Sequence, residues 1–144
     1  MVILGLDFGS KRIGVARTDA LGMMAHAVGI VERKKNEQTV AELCDLVLKW
    51  NAEKIVFGLP RNMNGTLGKS AEEVKAFAEL MREKLPGVEI GFWDERLSTS
   101  AVSRAMTEAG VSSRKQRGKL DSLAAQWILQ GYLDSLPRTG GGLG

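Results

Sequence analysis

Asp7 lies within Ile3-Leu4-Gly5-Leu6-Asp7-Phe8, an apolar stretch in which an unpaired carboxylate costs several kcal/mol. Its charge therefore has to be offset. Spacing alone leaves two accounts open: an ion pair with Lys11 or Arg12 or a hydrogen bond into the following turn, or coordination of a divalent cation. Asp94-Glu95 follows an apolar run directly, at the carboxyl end where open α/β sheets place ligand sites. The plainer account of this pair is solvated loop charge balanced by Arg96. Asp121 is expected in the first turn of a final helix, where the helix dipole favours an acid without any chemistry. Asp7 on a central strand, Glu95 at a strand end and Asp121 on a late helix can nevertheless meet at one edge of a sheet. Three carboxylates are the donors Mg²⁺ prefers, in a geometry suited to aligning a water for phosphodiester cleavage.

Composition narrows the choice of donors. Cys44 is the single cysteine and His26 the single histidine, which excludes an internal disulfide, a cysteine-rich zinc site and a histidine cluster, so that oxygen must hold any metal. With 144 residues, 44% hydrophobic and 26% charged, the sequence reads as one globular domain over residues 1–134, followed by a mobile glycine-rich tail over 135–144. No basic flank or cleavage site of a secretory signal opens it and no apolar run is of membrane length, so the cytoplasm is the expected compartment. A net charge of +3 permits a polyanionic partner without requiring one.

The elements that must position these acids follow from periodicity. Val2 to Phe8 reads as a strand, Ser10-Lys11-Arg12 as a turn, and Ile13 to Thr18 and Met24 to Val31 as the rest of an antiparallel ribbon. Asn36 is placed to cap a helix whose inner stripe is Val40, Leu43, Cys44, Val47 and Leu48. Lys54 to Pro60 reads as a buried strand, and Ser70 with Glu73 as a capping box ahead of Val74, Phe77, Ala78, Met81 and Leu85. Val88 to Trp93 is the last strand. Ser98-Thr99 then caps a helix running to Gly110, and a final helix from about Lys119 to Leu133 turns Leu120, Leu123, Ala124, Trp127 and Ile128 inward. The sum is an α/β architecture with the ribbon on one side of a sheet and crossover helices.

Substrate contacts are read from local charge. Arg114, Lys115, Arg117 and Lys119 are expected in a segment just before the helix of Asp121, as a phosphate-binding group or as a solvated basic loop. Lys11 and Arg12 are nearer the acids and are candidates for the scissile strand, or exposed hairpin residues. Asn62, Asn64 and Gly65 suit backbone contacts on a loop, or a plain turn. Trp50 and Trp127 fall on core stripes, Trp93 is open as a stacking platform, and His26 has no acidic neighbour close in sequence.

Asp7-Phe8-Gly9-Ser10-Lys11-Arg12-Ile13-Gly14-Val15-Ala16 closely resembles the opening motif of the YqgF family, also called RuvX, a family of pre-16S rRNA nucleases and Holliday junction resolvases. Gly58-Leu59-Pro60 with Asn64-Gly65, Asp94-Glu95-Arg96-Leu97-Ser98-Thr99 and Lys119-Leu120-Asp121-Ser122-Leu123-Ala124-Ala125 resemble its further motifs, in order, across Val2 to Leu133. The resemblance implies an RNase H-like fold with one mixed five-stranded sheet. It implies Asp7, Glu95 and Asp121 as the ligands of Mg²⁺ or Mn²⁺ in a metal-dependent nuclease, with Asp94 a neighbour. It favours RNA, namely precursor 16S rRNA, over branched DNA, with ribosomal assembly particles as a further partner. Two rivals are weighed against it. An actin-like ATPase or sugar kinase needs a second domain that this length does not supply. A non-catalytic RNA or ribosome assembly factor would bind through the basic face and keep the fold.

Overall fold

The computed structural model describes residues 1–9, 11–59, 69–94 and 114–136, with 69–70 and 114–121 described by their backbone. The chain opens with β1 (Val2–Phe8), β2 (Arg12–Thr18) and β3 (Ala25–Glu32), followed by α1 (Asn36–Trp50), β4 (Ala52–Leu59), α2 (Lys69–Lys84), β5 (Glu89–Asp94) and α3 (Arg114–Ser135). One sheet holds all five strands in the order β3-β2-β1-β4-β5. β1 pairs antiparallel with β2 and parallel with β4, so the first strand is the centre of the sheet and the hinge between its ribbon and its parallel half. This is the mixed sheet expected from the motif pattern. The helix expected over Ser98 to Gly110, and the loop of Asn62, Asn64 and Gly65, lie outside the described residues.

Strand alternation sorts the apolar side chains into two cores. Leu4, Leu6, Ile13, Val15, Ile55, Phe57 and Leu59 pack under α1 and α2, while Ile3, Ala16, Ala25 and Val56 pack under Ala125, Ile128 and Leu129 of α3. The result is three layers, helix on sheet on helix, the arrangement that buries both faces of a sheet with parallel strands. An aromatic row links strand ends to α2: Phe8 to Phe77 at 4.8 Å, Phe77 to Phe57 at 6.4 Å and Phe57 to Phe92 at 6.0 Å between ring centroids.

Several expected details are corrected. Asn36 is the first helical residue of α1, not its cap; the cap position is Lys35 and makes no side-chain bond. Thr39 takes over, its hydroxyl accepting the Lys34 N–H at 3.0 Å and bonding the Lys35 carbonyl at 3.3 Å. Leu48 is 72% exposed although it fits the i+8 position of the α1 stripe. Leu46 and Trp50 pack instead, because the fully buried Val40, Leu43 and Val47 set the centre of the inward face, and Leu48 lies roughly 100° of helix rotation from it, on the side away from Trp50. α2 begins at Lys69, which puts Ser70 inside its first turn rather than before it, and Glu73 pairs with Arg33. On α3 the buried positions are Ser122, Ala125, Ile128 and Leu129, whereas Leu123, Ala124 and Trp127 are half-buried. Apolar residues surround that helix, so periodicity does not choose its face; the fit of a small Ala125 against Gly5 does.

Cys44 packs at the margin of the first core, half-buried as expected of a core cysteine. Burial, with Asp45 adding to it, pushes its thiol above the usual range, which leaves less thiolate at neutral pH than in the unfolded chain. Alkylation by iodoacetamide at pH 7.5 is therefore expected to run slower in the native protein than in urea. Equal rates would contradict this packing.

Candidate active site

Asp7 stands at the carboxyl end of the central strand. Leu4, Leu6 and Phe8 turn toward α1 and α2, and Ile3 toward α3, so Asp7 shares the α3 face with Ile3 and Gly5. It is half-buried and not without a partner. On β5, Ile90 packs with the first core and Trp93 with the second. The same alternation puts Asp94 on the α1 and α2 face, across the sheet from Asp7. Asp94 pairs in register with Leu59, at the same end of the sheet as Asp7, but from the wrong side to share a ligand with it. Glu95 lies outside the described residues.

Gly5 explains how α3 comes to lie over this strand. A Cβ at position 5 would fall 2.7 Å from Leu129 Cβ and 3.2 Å from the Ala125 carbonyl oxygen, so only glycine allows this approach. α3 then runs down the sheet: Ala125 and Leu129 lie over Gly5, and Tyr132 reaches Lys54, level with Ile3. The Lys54 Nζ is 4.8 Å from the Tyr132 ring centroid and 3.6 Å from Glu89 Oε1. Burial works to lower its pKa, and the Tyr132 and Glu89 contacts overcome this and raise it. Gln126 and Gln130 tie the same helix to β3 through the Ala25 carbonyl and N–H, at 3.0 and 2.9 Å. Asp121 sits on α3 one turn before Ala125, toward the Asp7 end of the sheet.

Two expectations about this helix change. It starts at Arg114 rather than near Lys119. Arg114, Lys115, Arg117 and Lys119 are accordingly in its first two turns and not in a preceding loop, and Asp121 is about two turns inside rather than in the first turn. The dipole account of Asp121 thereby loses its basis, since that effect fades within the first turn. No acid occupies the first turn, so basic residues stand at the pole where the helix itself disfavours positive charge.

The β1–β2 turn brings further candidates beside Asp7. The Gly9 N–H donates to the Arg12 carbonyl at 3.0 Å, and a Cβ on Gly9 would meet that same oxygen at 2.6 Å. Lys11 is exposed and Arg12 half-buried. The Gly9→Ala variant is expected to open the turn and cost about 1–3 kcal/mol, read as a lower urea midpoint at unchanged slope; an unchanged midpoint would contradict the close approach. Sequence reading gave no role to Arg33, which lies in the charged stretch Glu32-Arg33-Lys34-Lys35. It contacts both strands of this turn, a fact visible only once β3 is in register.

Two of the tryptophans, Trp93 and Trp50, pack on the cores. Trp93 packs against the second core and meets Tyr132 edge-on at 6.2 Å; its buried indole N–H has no hydrogen-bond partner among the described residues. Trp50 packs on the first core with Arg17 5.2 Å from its ring centroid. His26 is exposed on β3, opposite Arg17, toward the other end of the sheet. Among the described residues no three His, Cys, Asp or Glu side chains gather as a metal site; the side chains of Glu95 and Asp121 are outside that description. The donors near Asp7 are oxygen alone, with Cys44 across the sheet and His26 remote, which is a set that fits a hard divalent cation.

A mixed sheet of order β3-β2-β1-β4-β5 between helices, with an acid at the carboxyl end of its central strand, defines an RNase H-like α/β protein. Solved structures share the fold. Thermus thermophilus RuvC in complex with a Holliday junction substrate superposes with a TM-score of 0.56 at 14% identity, covering 97% of this chain and 96% of that one. The fowlpox virus Holliday junction resolvase gives 0.56 at 18% identity, covering 94% and 100%. Residues 1–135 match the family model RuvX, described as Holliday junction resolvase, and the chain belongs to that family. Two similar relatives, both named "Putative pre-16S rRNA nuclease", come from Clostridium beijerinckii, 48% identical over 96% of this chain and 99% of the relative, and Clostridium acetobutylicum, 46% identical over 94% and 100%. Among the described residues no helix is long and apolar enough to cross a membrane.

Proposed function

We propose that this protein is a cytoplasmic metal-dependent nuclease that hydrolyses phosphodiester bonds in RNA, in the processing of the 5′ end of precursor 16S rRNA. The observation that carries the reading is a carboxylate at the end of the central strand, on the sheet face covered by the helix that bears a second one. Asp7, Glu95 and Asp121 hold the cation, Mg²⁺ or Mn²⁺, through oxygen. When bound, it supplies charge stabilisation at the phosphate oxygens and favours an ionised water as nucleophile. The chain's own part is to present acceptor-only carboxylates from rigid elements, so that little reorganisation remains at the moment of reaction.

Arg114, Lys115, Arg117 and Lys119 bind backbone phosphates, as do Lys11 and Arg12 beside Asp7, and Asn64 completes the substrate contacts. Phosphate contacts position a strand without reading its sequence. What supports this role for α3 is its charge pattern, since an anionic partner offsets the cost of cations at the positive helix pole. Replacing Arg114, Lys115 and Arg117 by Gln is expected to weaken RNA binding at low salt. The slope of log K against log salt should flatten by roughly 0.7 per lost contact. An unchanged slope would remove these residues from the interface.

RNA is favoured because the relatives at 46–48% identity carry an RNA-processing name over nearly their whole length. The family description as a Holliday junction resolvase supports a second reading, cleavage of branched DNA. Side-by-side cleavage of precursor 16S rRNA ends, single-stranded RNA and four-way DNA junctions, with Mg²⁺ and with Mn²⁺, separates the two. Preferential cutting of the precursor is expected; preferential cutting of the junction would replace RNA by DNA. Salt-sensitive binding without cleavage of any substrate would leave a non-catalytic assembly factor.

A further inference from the structure

Arg33 follows β3 directly and makes more distinct contacts than a strand-end charge requires. Its backbone N–H donates to the Lys11 carbonyl at 2.9 Å. The guanidinium Nη1 donates to the Gly9 carbonyl at 3.0 Å, and Nη2 pairs with Glu73 Oε1 of α2 at 2.9 Å. The guanidinium carbon lies 4.3 Å from the centroid of the Phe8 ring, and Phe8 in turn stacks on Phe77. The side chain is only 16% exposed. These contacts use the two features that separate arginine from lysine, a planar face for the ring and a fork of donors that reaches two acceptors at once.

Three of these contacts, to Phe8, Gly9 and Lys11, converge on one short piece of chain. Phe8 and Gly9 immediately follow Asp7, and Lys11 opens the return strand. Arg33 approaches from the α1 and α2 face, behind the sheet, while Asp7 occupies the α3 face. A hairpin turn of this kind is ordinarily among the mobile parts of a structure. Here one half-buried cation ties it to β1, β3 and α2 together. We infer that Arg33 is a positioning residue: it fixes the β1–β2 turn from behind, so that Asp7 and the turn residues Lys11 and Arg12 keep one geometry toward metal and substrate.

The functional half of this inference rests on the proposed nuclease reading, and its test separates the two. The full-length Arg33→Gln, Arg33→Lys and Glu73→Gln proteins are compared with the wild type by amide hydrogen exchange and by Mn²⁺ titration followed by electron paramagnetic resonance, alongside RNA cleavage. In Arg33→Gln the Gly9 and position-33 amides are expected to exchange at least ~10-fold faster while amides of the β1–β4 pairing stay protected, and Mn²⁺ affinity is expected to fall several-fold. Arg33→Lys should recover part of both. Glu73→Gln, which removes a half-exposed partner and leaves the guanidinium in place, should give a smaller change in the same direction, and it serves if Arg33→Gln fails to fold. Unchanged turn exchange, or looser exchange with unchanged Mn²⁺ affinity, would overturn the positioning role whether or not the protein cleaves RNA. A turn that loosens and loses Mn²⁺ affinity supports the role even if no RNA is cut, in which case the nuclease reading alone fails.

Discussion

Gly5→Val is expected to lower the stability of this protein by at least about 3 kcal/mol, near the top of the range for overpacked cores. The reason is the absence of room and the nature of the neighbours. A single Cβ already falls 2.7 Å from Leu129 Cβ and 3.2 Å from the Ala125 carbonyl oxygen. Neither atom is the free end of a side chain, so relief requires moving the α3 backbone. Leu129 and Ala125 are fully buried, and the displaced helix would break its packing on Ile3 and Val56 as well. At roughly 3 °C per kcal/mol for a chain of this size, the melting temperature should fall by about 9 °C or more. Because the same helix carries Asp121, nuclease activity should fall further than the folded fraction does. Gly87→Ala is the control, since a Cβ there meets nothing within 4 Å, and should leave the melt unchanged. Equal melts for Gly5→Val and the wild type would mean that α3 does not rest on β1 as described.

Asp7→Asn is expected to keep the fold and to lose the chemistry. Asparagine matches aspartate in shape but brings no charge, so it removes the proposed metal ligand without opening a cavity in a half-buried position. Two readouts should move together. Cleavage should fall by on the order of 10²–10³-fold, as when a single group that stabilises developing charge is removed. The proposed site also predicts that Mg²⁺ stabilises the wild type by about 1.4 kcal/mol at ten times its dissociation constant, read as a rise in melting temperature, and that this response shrinks or vanishes in the variant. A variant that loses cleavage but keeps the full thermal response to Mg²⁺ would place the cation elsewhere. One that melts far below the wild type without metal would return Asp7 to the structural ion pair that its spacing also allows.

The sequence made some links visible and hid others, for physical reasons. Strand periodicity is a local signal: β1 and β4 were legible because their nearly continuous apolar runs end at Gly9 and Pro60, and β5 because Ile90 to Trp93 is apolar after the Pro86-Gly87 stop. The single mixed sheet was implied by family resemblance, but its order was not, since nothing in Val2 to Phe8 says that it lies between β2 and β4. Asp7 was conspicuous as an acid inside an apolar run. Asp94 was ambiguous, and only its registry with Leu59 and the core contacts of Ile90 and Trp93 put it on the opposite face. Gly5 looked like any glycine in a strand, because its meaning depends on a helix more than a hundred residues later. The inner face of α3 was misjudged for the same reason: its apolar residues surround the helix, and the tertiary contact at Ala125 makes the selection. Arg33 was hidden in a charged stretch, because long-range contacts to Gly9, Lys11 and Glu73 leave no trace in local spacing.

The most direct measurement is the single-turnover rate of cleavage of a precursor 16S rRNA 5′-end fragment by the purified wild type, Asp7→Asn and Asp121→Asn, each with saturating Mg²⁺ and each after chelation, with folding verified by circular dichroism. The account predicts cleavage by the wild type that requires the metal, and rates in both folded variants reduced by on the order of 10²–10³-fold at saturating Mg²⁺. Undiminished cleavage by the two folded variants would contradict it.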